Sequence, residues 1–242
     1  MKKVKLVVFD MAGTTVKDEN EVEDCFFAAV EETGLTATRE RINSMMGWSK
    51  RLVFETLWKE QCPNVAEAEL EEMIEKSYQK FKTVLENHYR TQPVLPTEGC
   101  LELFKSLSEQ GIKIALTTGF YREVTNIILD RLGWDKGLDE NYIGGEIIDA
   151  SIASDEVASG RPSPFMIQKA MNLLNVESFD EVIKIGDTPS DLQAGKSAGC
   201  LLSLGVTNGT HTAEEMSKFE NDGLIPSLAE FVPFVMKQEV EA

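Results

Sequence analysis

Short apolar runs alternate along the chain with segments whose apolar residues recur every three or four positions. Residues 5–9 (KLVVF) are largely apolar and bounded by charge, the pattern of a parallel strand buried on both faces. Similar runs lie at 112–116 (IKIAL), 182–185 (VIKI) and 200–204 (CLLSL), and helical stretches fill 101–110, 121–132, 164–174 and 190–198. Strands alternating with helices of this length predict an α/β fold, a Rossmann-like parallel sheet covered on both faces. One stretch breaks the alternation. Between residues 19 and 90 no strand pattern occurs, while Val22, Phe26 and Val30, then Leu70, Ile74, Tyr78, Phe81 and Leu85, keep a helical period. Gly34 ends the first of these segments, and Pro93 and Pro96 mark the return to the sheet. The spacing predicts a four-helix insert, residues 18–91, set into a core of 1–17 and 92–242, with 226–242 as a closing helix or tail.

The 242 residues, 42% hydrophobic and 27% charged, suffice for one to two domains with a real core. Against 24 Lys and Arg stand 41 Asp and Glu, a net charge of −17. That sign is wrong for tracking nucleic-acid phosphates or an anionic membrane, so neither is expected as a partner. Cys25, Cys62, Cys100 and Cys200 are scattered without a C-x-x-C pair, which fits reduced thiols in a cytoplasm. With only His88 and His211, a histidine-rich metal site is excluded and a Ser-His-Asp hydrolase has little choice of base. The first apolar run stops at Asp10, too short for a signal peptide, and no run approaches the roughly 18 residues of a membrane span. A soluble, cytoplasmic protein is expected, with a homodimer left open.

Ligands of open parallel sheets bind beyond the carboxyl ends of the strands. The residues there are Asp10-Met11-Ala12-Gly13-Thr14-Thr15, Thr117-Thr118-Gly119 and Gly186-Asp187-Thr188-Pro189-Ser190-Asp191, joined by Gly160-Arg161-Pro162-Ser163-Pro164 before a helix. Singly, each has a plain explanation: a turn, a helix cap or a solvated arginine. Together they place a carboxylate, a hydroxyl, a cation and a carboxylate pair on one rim. Asp10 can attack phosphorus only if its repulsion from phosphoryl oxygens is cancelled. Mg²⁺ does this with oxygen ligands, here Asp10, Asp187, the Ala12 carbonyl and, directly or through water, Asp191. Thr118, Gly119 and the backbone N–H groups up to Thr14 are candidates for holding the phosphate of a small phosphorylated or phosphonate substrate, and Arg161 offsets its remaining charge.

DMAGTT, TTG, GRPSP and GDTPSD resemble the four motifs of the haloacid dehalogenase superfamily, in the expected order, over residues 3–205. The resemblance implies a Mg²⁺-dependent hydrolase with Asp10 as nucleophile, and a helical cap over the sheet. Most phosphatases of the superfamily carry a general-acid Asp two residues after the nucleophile; here Ala12 stands there. Ala12 followed by Gly-Thr-Thr resembles the phosphonatase family, which cleaves a carbon–phosphorus bond after a cap lysine forms an imine with the substrate aldehyde. Met46-Gly47-Trp48-Ser49-Lys50 is similar to the segment bearing that lysine, which implies Gly47 at the substrate and Lys50 as the imine former. Two positions depart from the pattern: Val53 replaces a histidine that moves protons, and Phe120 replaces a tyrosine.

Lys50 keeps two readings. Ser49 reads as the N-cap of the next helix, which puts the Lys50 and Arg51 charges in its first turn, against the helix dipole. That placement suits either an imine-forming amine or an electrostatic anchor for an anionic substrate. An unperturbed lysine, with a pKa of about 10.4, is too fully charged to attack an aldehyde. The leading expectation is a phosphonatase-like hydrolase; the alternatives are a phosphatase of a small ester and a catalytically silent metabolite-binding domain.

Overall fold

The computed structural model describes residues 4–241. The first strand, β1 (Leu6–Asp10), is buried at all five positions, as its unbroken apolar run requires. It leads into four helices, α1 (Glu21–Thr33), α2 (Arg39–Asn43), α3 (Lys50–Gln61) and α4 (Glu67–Thr91). The chain then returns through α5 (Cys100–Glu109), β2 (Lys113–Thr117), α6 (Arg122–Leu132), β3 (Ala150–Ile152) and α7 (Phe165–Leu173). The remainder comprises β4 (Val182–Gly186), α8 (Pro189–Ala198), β5 (Leu202–Val206), α9 (Ala213–Met216), β6 (Gly223–Ile225) and α10 (Phe231–Glu241). The closing helix predicted for 226–242 is therefore α10, and its last residue, Ala242, lies outside the described residues.

All six strands are parallel, in the order β3-β2-β1-β4-β5-β6. The order reverses between β1 and β4, so a crevice opens above their carboxyl ends. β3 and β6 were not expected from sequence. Each has only three residues, too few to show a period, and each is held by pairing with one neighbour at the sheet edge.

Phe9 anchors the sheet against Phe104 (ring centroids 5.2 Å apart) and Phe231 (6.3 Å). Phe26 of α1, Phe54 of α3 and Phe81 of α4 form a second aromatic cluster, with Phe26 stacked on Phe81 at 4.3 Å. Such pairs add roughly 0.5–1.5 kcal/mol beyond area burial. Buried apolar contacts run continuously from this cluster to the sheet. The insert is further tied to α6: Tyr121 Oη donates to Glu86 Oε1 at 2.8 Å, and the Lys82 ammonium sits 4.6 Å above the Tyr121 ring. These contacts hold α3 and its leading loop over the carboxyl ends of the strands. No helix is long and apolar enough to cross a membrane among the described residues.

Candidate active site

Asp10 closes β1 and is buried. The chain turns at once, with the amides of Thr14, Thr15 and Val16 all donating to the Met11 carbonyl (2.8–3.1 Å). This turn forces Gly13 against the β4 side of the crevice. Its φ is +85°, and a Cβ there would lie 2.1 Å from Asp187 Oδ2, so only glycine fits. Asp187, just beyond β4, accepts from Thr14 Oγ1 (3.2 Å) and from the Thr210 amide (2.7 Å). Asp191, in the first turn of α8, pairs through Oδ1 with Arg161 and with Lys184 Nζ (2.7 Å), while Oδ2 accepts from Thr188 Oγ1 (2.6 Å). The same Arg161 guanidinium lies 2.6 Å from Asp10 Oδ1. Thr118 follows β2, and its hydroxyl accepts from the Phe120 amide at 3.1 Å.

Three buried carboxylates and one arginine at such range perturb one another strongly. Burial pushes Asp10 up to about 7; Asp191 and Asp187 add to this, and Arg161 opposes it. Asp187 is likewise raised, by burial and then by Asp191. At Asp191, burial is outweighed by Arg161 and Lys184, which hold it at about 2. Candidate ligand oxygens of Asp10, Asp187 and Asp191 lie within 4.8 Å of one another, a group able to hold a metal ion. A hard cation fits this donor set, because Asp10 and Asp187 form an under-compensated pair of negative groups facing each other. Both oxygens of Asp191 are engaged by the protein, and its salt bridge orients Arg161 toward Asp10.

Lys50 opens α3 and is buried. Its Nζ lies 5.1 Å from the Phe120 ring centroid and 5.6 Å from that of Phe26, among apolar and cation–π contacts. Burial and then Arg161 draw its pKa from the ordinary 10.5 down to about 8. Arg51 takes no part, since its guanidinium is turned to Glu71, Glu55 and Glu75. Ser49 does occupy the N-cap position, but its side chain accepts no hydrogen bond from the helix. The preceding loop is pressed onto the core. A Cβ on Gly47 would lie 2.3 Å from Ser190 Oγ, and one on Gly119 would lie 2.5 Å from the Trp48 carbonyl.

Asp10, Ala12, Gly47, Lys50, Thr118, Gly119 and Arg161, singled out from sequence, all line one cavity of about 20 Å³. Thr14, Asp187 and Asp191 do not line it; they pack beneath, around the metal-competent carboxylates. A volume of 20 Å³ holds a water molecule and no substrate, so this is a closed arrangement of the insert over the sheet. Neither His88 nor His211 faces the cavity, and Val53 is buried among the apolar residues of the insert. Sequence reasoning missed Lys184, Thr188, Thr210 and Asp18. Lys184 did carry a signal, because a charge inside a doubly buried strand needs a partner. Thr210 and Asp18, in polar loops, carried none.

A family model for haloacid dehalogenase-like hydrolases matches residues 4–199, and the chain belongs to that family. It is a hydrolase with an α/β, Rossmann-like sheet. Among curated relatives, it is 32% identical over 221 residues to phosphonoacetaldehyde hydrolase of Bacillus cereus (strain AH187), covering 86% of this chain and 77% of the relative. It is also 32% identical over 238 residues to the enzyme of the same name from Bacillus mycoides (strain KBAB4), covering 90% and 83%. Among solved structures, it resembles a phosphonoacetaldehyde hydrolase-like protein from Oleispira antarctica (TM-score 0.78, 18% identity, 97% and 92% coverage). A hydrolase from Pseudomonas syringae shares the fold as well (TM-score 0.76, 19% identity, 96% and 98% coverage).

Proposed function

We propose that the protein is a Mg²⁺-dependent, phosphonatase-like hydrolase that releases phosphate from a small organophosphorus substrate such as phosphonoacetaldehyde. The observation that carries this reading is the sharing of one closed cavity by a carboxylate nucleophile and a buried amine, Asp10 and Lys50. With its pKa near 8, Lys50 supplies a useful fraction of free amine at neutral pH, which a solvated lysine does not. The amine condenses with the substrate aldehyde, and the resulting imine accepts the electron pair left by the broken carbon–phosphorus bond. No acid is then needed beside the phosphorus, which suits Ala12. Asp10 attacks phosphorus and forms a phospho-aspartyl intermediate, which water hydrolyses. Arg161, held by Asp191, faces the transferring group and offsets its charge. Asp10, Asp187, the Ala12 carbonyl and, directly or through water, Asp191 would hold Mg²⁺, which would further neutralise the phosphoryl oxygens.

The insert acts as the cap. It opens to admit substrate, since about 20 Å³ cannot, and closes to exclude bulk water. A second reading is favoured by the apolar Val53 and Phe120: a phosphatase of a small ester in which Lys50 only anchors the anion. A silent binding domain is the weakest reading, since a binding module has no need of a buried nucleophile.

Phosphate release from phosphonoacetaldehyde, set against a panel of small phosphate esters with Mg²⁺, tests the proposal. Efficient turnover of the aldehyde is expected. Turnover of an ester alone overturns the imine and leaves Lys50 as an anchor.

A further inference from the structure

Imine formation at Lys50 needs a group that takes a proton from the ammonium and later delivers one to the departing oxygen. Neither histidine faces the cavity, and Val53 is apolar. The remaining carboxylates at the site are committed elsewhere. Asp10 faces Arg161, Asp187 is held by Thr14 and Thr210, and Asp191 by Arg161, Lys184 and Thr188. One acid is left on the cavity wall: Asp18, in the loop between β1 and α1, which lines the same space as Lys50.

We propose that Asp18 is the proton-transfer residue for Lys50, a catalytic role that rests on the imine reading above. Through a water in the cavity they share, the Asp18 carboxylate takes a proton from the Lys50 ammonium, leaving a neutral amine. The nitrogen lone pair forms the C–N bond, the carbonyl π pair moves to oxygen, and a nitrogen proton shifts to that oxygen to give a carbinolamine. Asp18 then protonates the hydroxyl, the C–O bond breaks, water leaves, and the nitrogen lone pair completes the iminium. Asp18 ends as the carboxylate it began as.

The surroundings suit the task. Asp18 Oδ1 accepts only weakly, from the Val22 amide at 3.4 Å, and its carboxyl lies against that of Glu21 at the start of α1. The adjacent Glu21 carboxylate raises the proton affinity of Asp18. Burial and the Glu21 contact push Asp18 up to about 8, level with Lys50, so a proton passes between them with little cost. The other groups near Asp18 are Asp187 beyond β4, Cys25 on α1 and Tyr89 on α4, with His88 of α4 close to Glu21. Around Lys50 they are Arg161, Asp10 and Asp187.

Asp18→Asn keeps a side chain that accepts the Val22 amide but moves no proton. With phosphonoacetaldehyde and Mg²⁺ it is expected to lower kcat by about 10²–10⁴-fold, with KM little changed and the protein folded. In an Asp10→Ala background, where phosphorus chemistry is blocked, it is expected to slow borohydride trapping of the Lys50 adduct by a similar factor, and Asp18→Glu is expected to recover part of both. Should Asp18→Asn not fold, Glu21→Gln serves instead: loss of its charge should move the Asp18 limb of the kcat pH profile to lower pH. Wild-type kcat and trapping rate in Asp18→Asn, or an unmoved limb in Glu21→Gln, would overturn the role of Asp18 alone. A wild-type protein that neither releases phosphate from the aldehyde nor forms an adduct would overturn the imine reading, and this role with it.

Discussion

Gly47 offers a quantitative test of how the insert seats on the sheet. Its φ is +85°, and an added Cβ would lie 2.3 Å from Ser190 Oγ and 2.5 Å from Thr188 Oγ1. Those hydroxyls cannot swing aside freely, being 2.9 Å apart and hydrogen-bonded, with Thr188 also bound to Asp191. Real Cβ contacts essentially never fall under 3.0 Å, so in Gly47→Ala the loop must retreat by at least about 3.0 − 2.3 = 0.7 Å. Lys50 sits three residues on and retreats with it. Misplacing a reacting group by about 1 Å costs on the order of 10²-fold, so kcat/KM should fall about 10- to 100-fold. Left-handed backbone at a non-glycine residue costs a further ~1–2 kcal/mol of stability, about 2–8 °C in Tm for a chain of this size. Gly34→Ala separates the two effects, because Gly34 has φ +79° and no atom within 4 Å of its would-be Cβ. It should lose Tm and keep its rate. Steady-state phosphate release and calorimetry on both variants give the answer; equal kcat/KM in folded Gly47→Ala and Gly34→Ala would refute the seating argument.

Three further outcomes follow from the same geometry. Asp10→Asn should lose at least about 10⁴-fold in turnover while remaining folded, since Arg161 retains Asp191; substantial residual activity would remove Asp10 as nucleophile. Lys50 is held below its unfolded pKa, so its burial penalty is complete below pH of about 8 and disappears as pH rises past 10.5. Lys50→Met should therefore stabilise the fold at pH 7 by up to about 3 kcal/mol, and less as pH rises; a gain that grows with pH, read from denaturant melts, contradicts this. Mg²⁺ at a hundredfold excess over its Kd should add about 2.7 kcal/mol, about 5–11 °C in Tm. Asp187→Ala should abolish that shift, and EDTA should abolish turnover.

The parallel sheet was legible because doubly buried strands announce themselves as unbroken apolar runs. Register at their ends was not. The run at 200–204 proved to be β5 at Leu202–Val206, because the Cys200 amide still bonds back to Gly195 to finish α8. The motif residues were found at strand ends, where backbone topology alone brings them together. What sequence could not give was side-chain direction across elements. Arg51, beside Lys50 in the chain, points away, while burial and then Arg161, over a hundred residues later, depress its pKa. Asp18, flanked by the exposed Lys17 and Glu19, reads as part of a solvated charge run until the loop folds it against the cavity.

The central claim, that Lys50 and Asp10 act on one substrate, is tested most directly by trapping. Protein turning over phosphonoacetaldehyde with Mg²⁺ is quenched with borohydride, and the modified lysine is identified by peptide mass spectrometry. If the imine forms and the carbon–phosphorus bond then breaks, the two-carbon remnant is reduced in place, and wild-type protein carries an N-ethyl group on Lys50. Asp10→Ala, unable to cleave, should carry the intact phosphonoethyl group at the same residue. Phosphate released without any adduct on Lys50, or an adduct on a different lysine, would contradict the account.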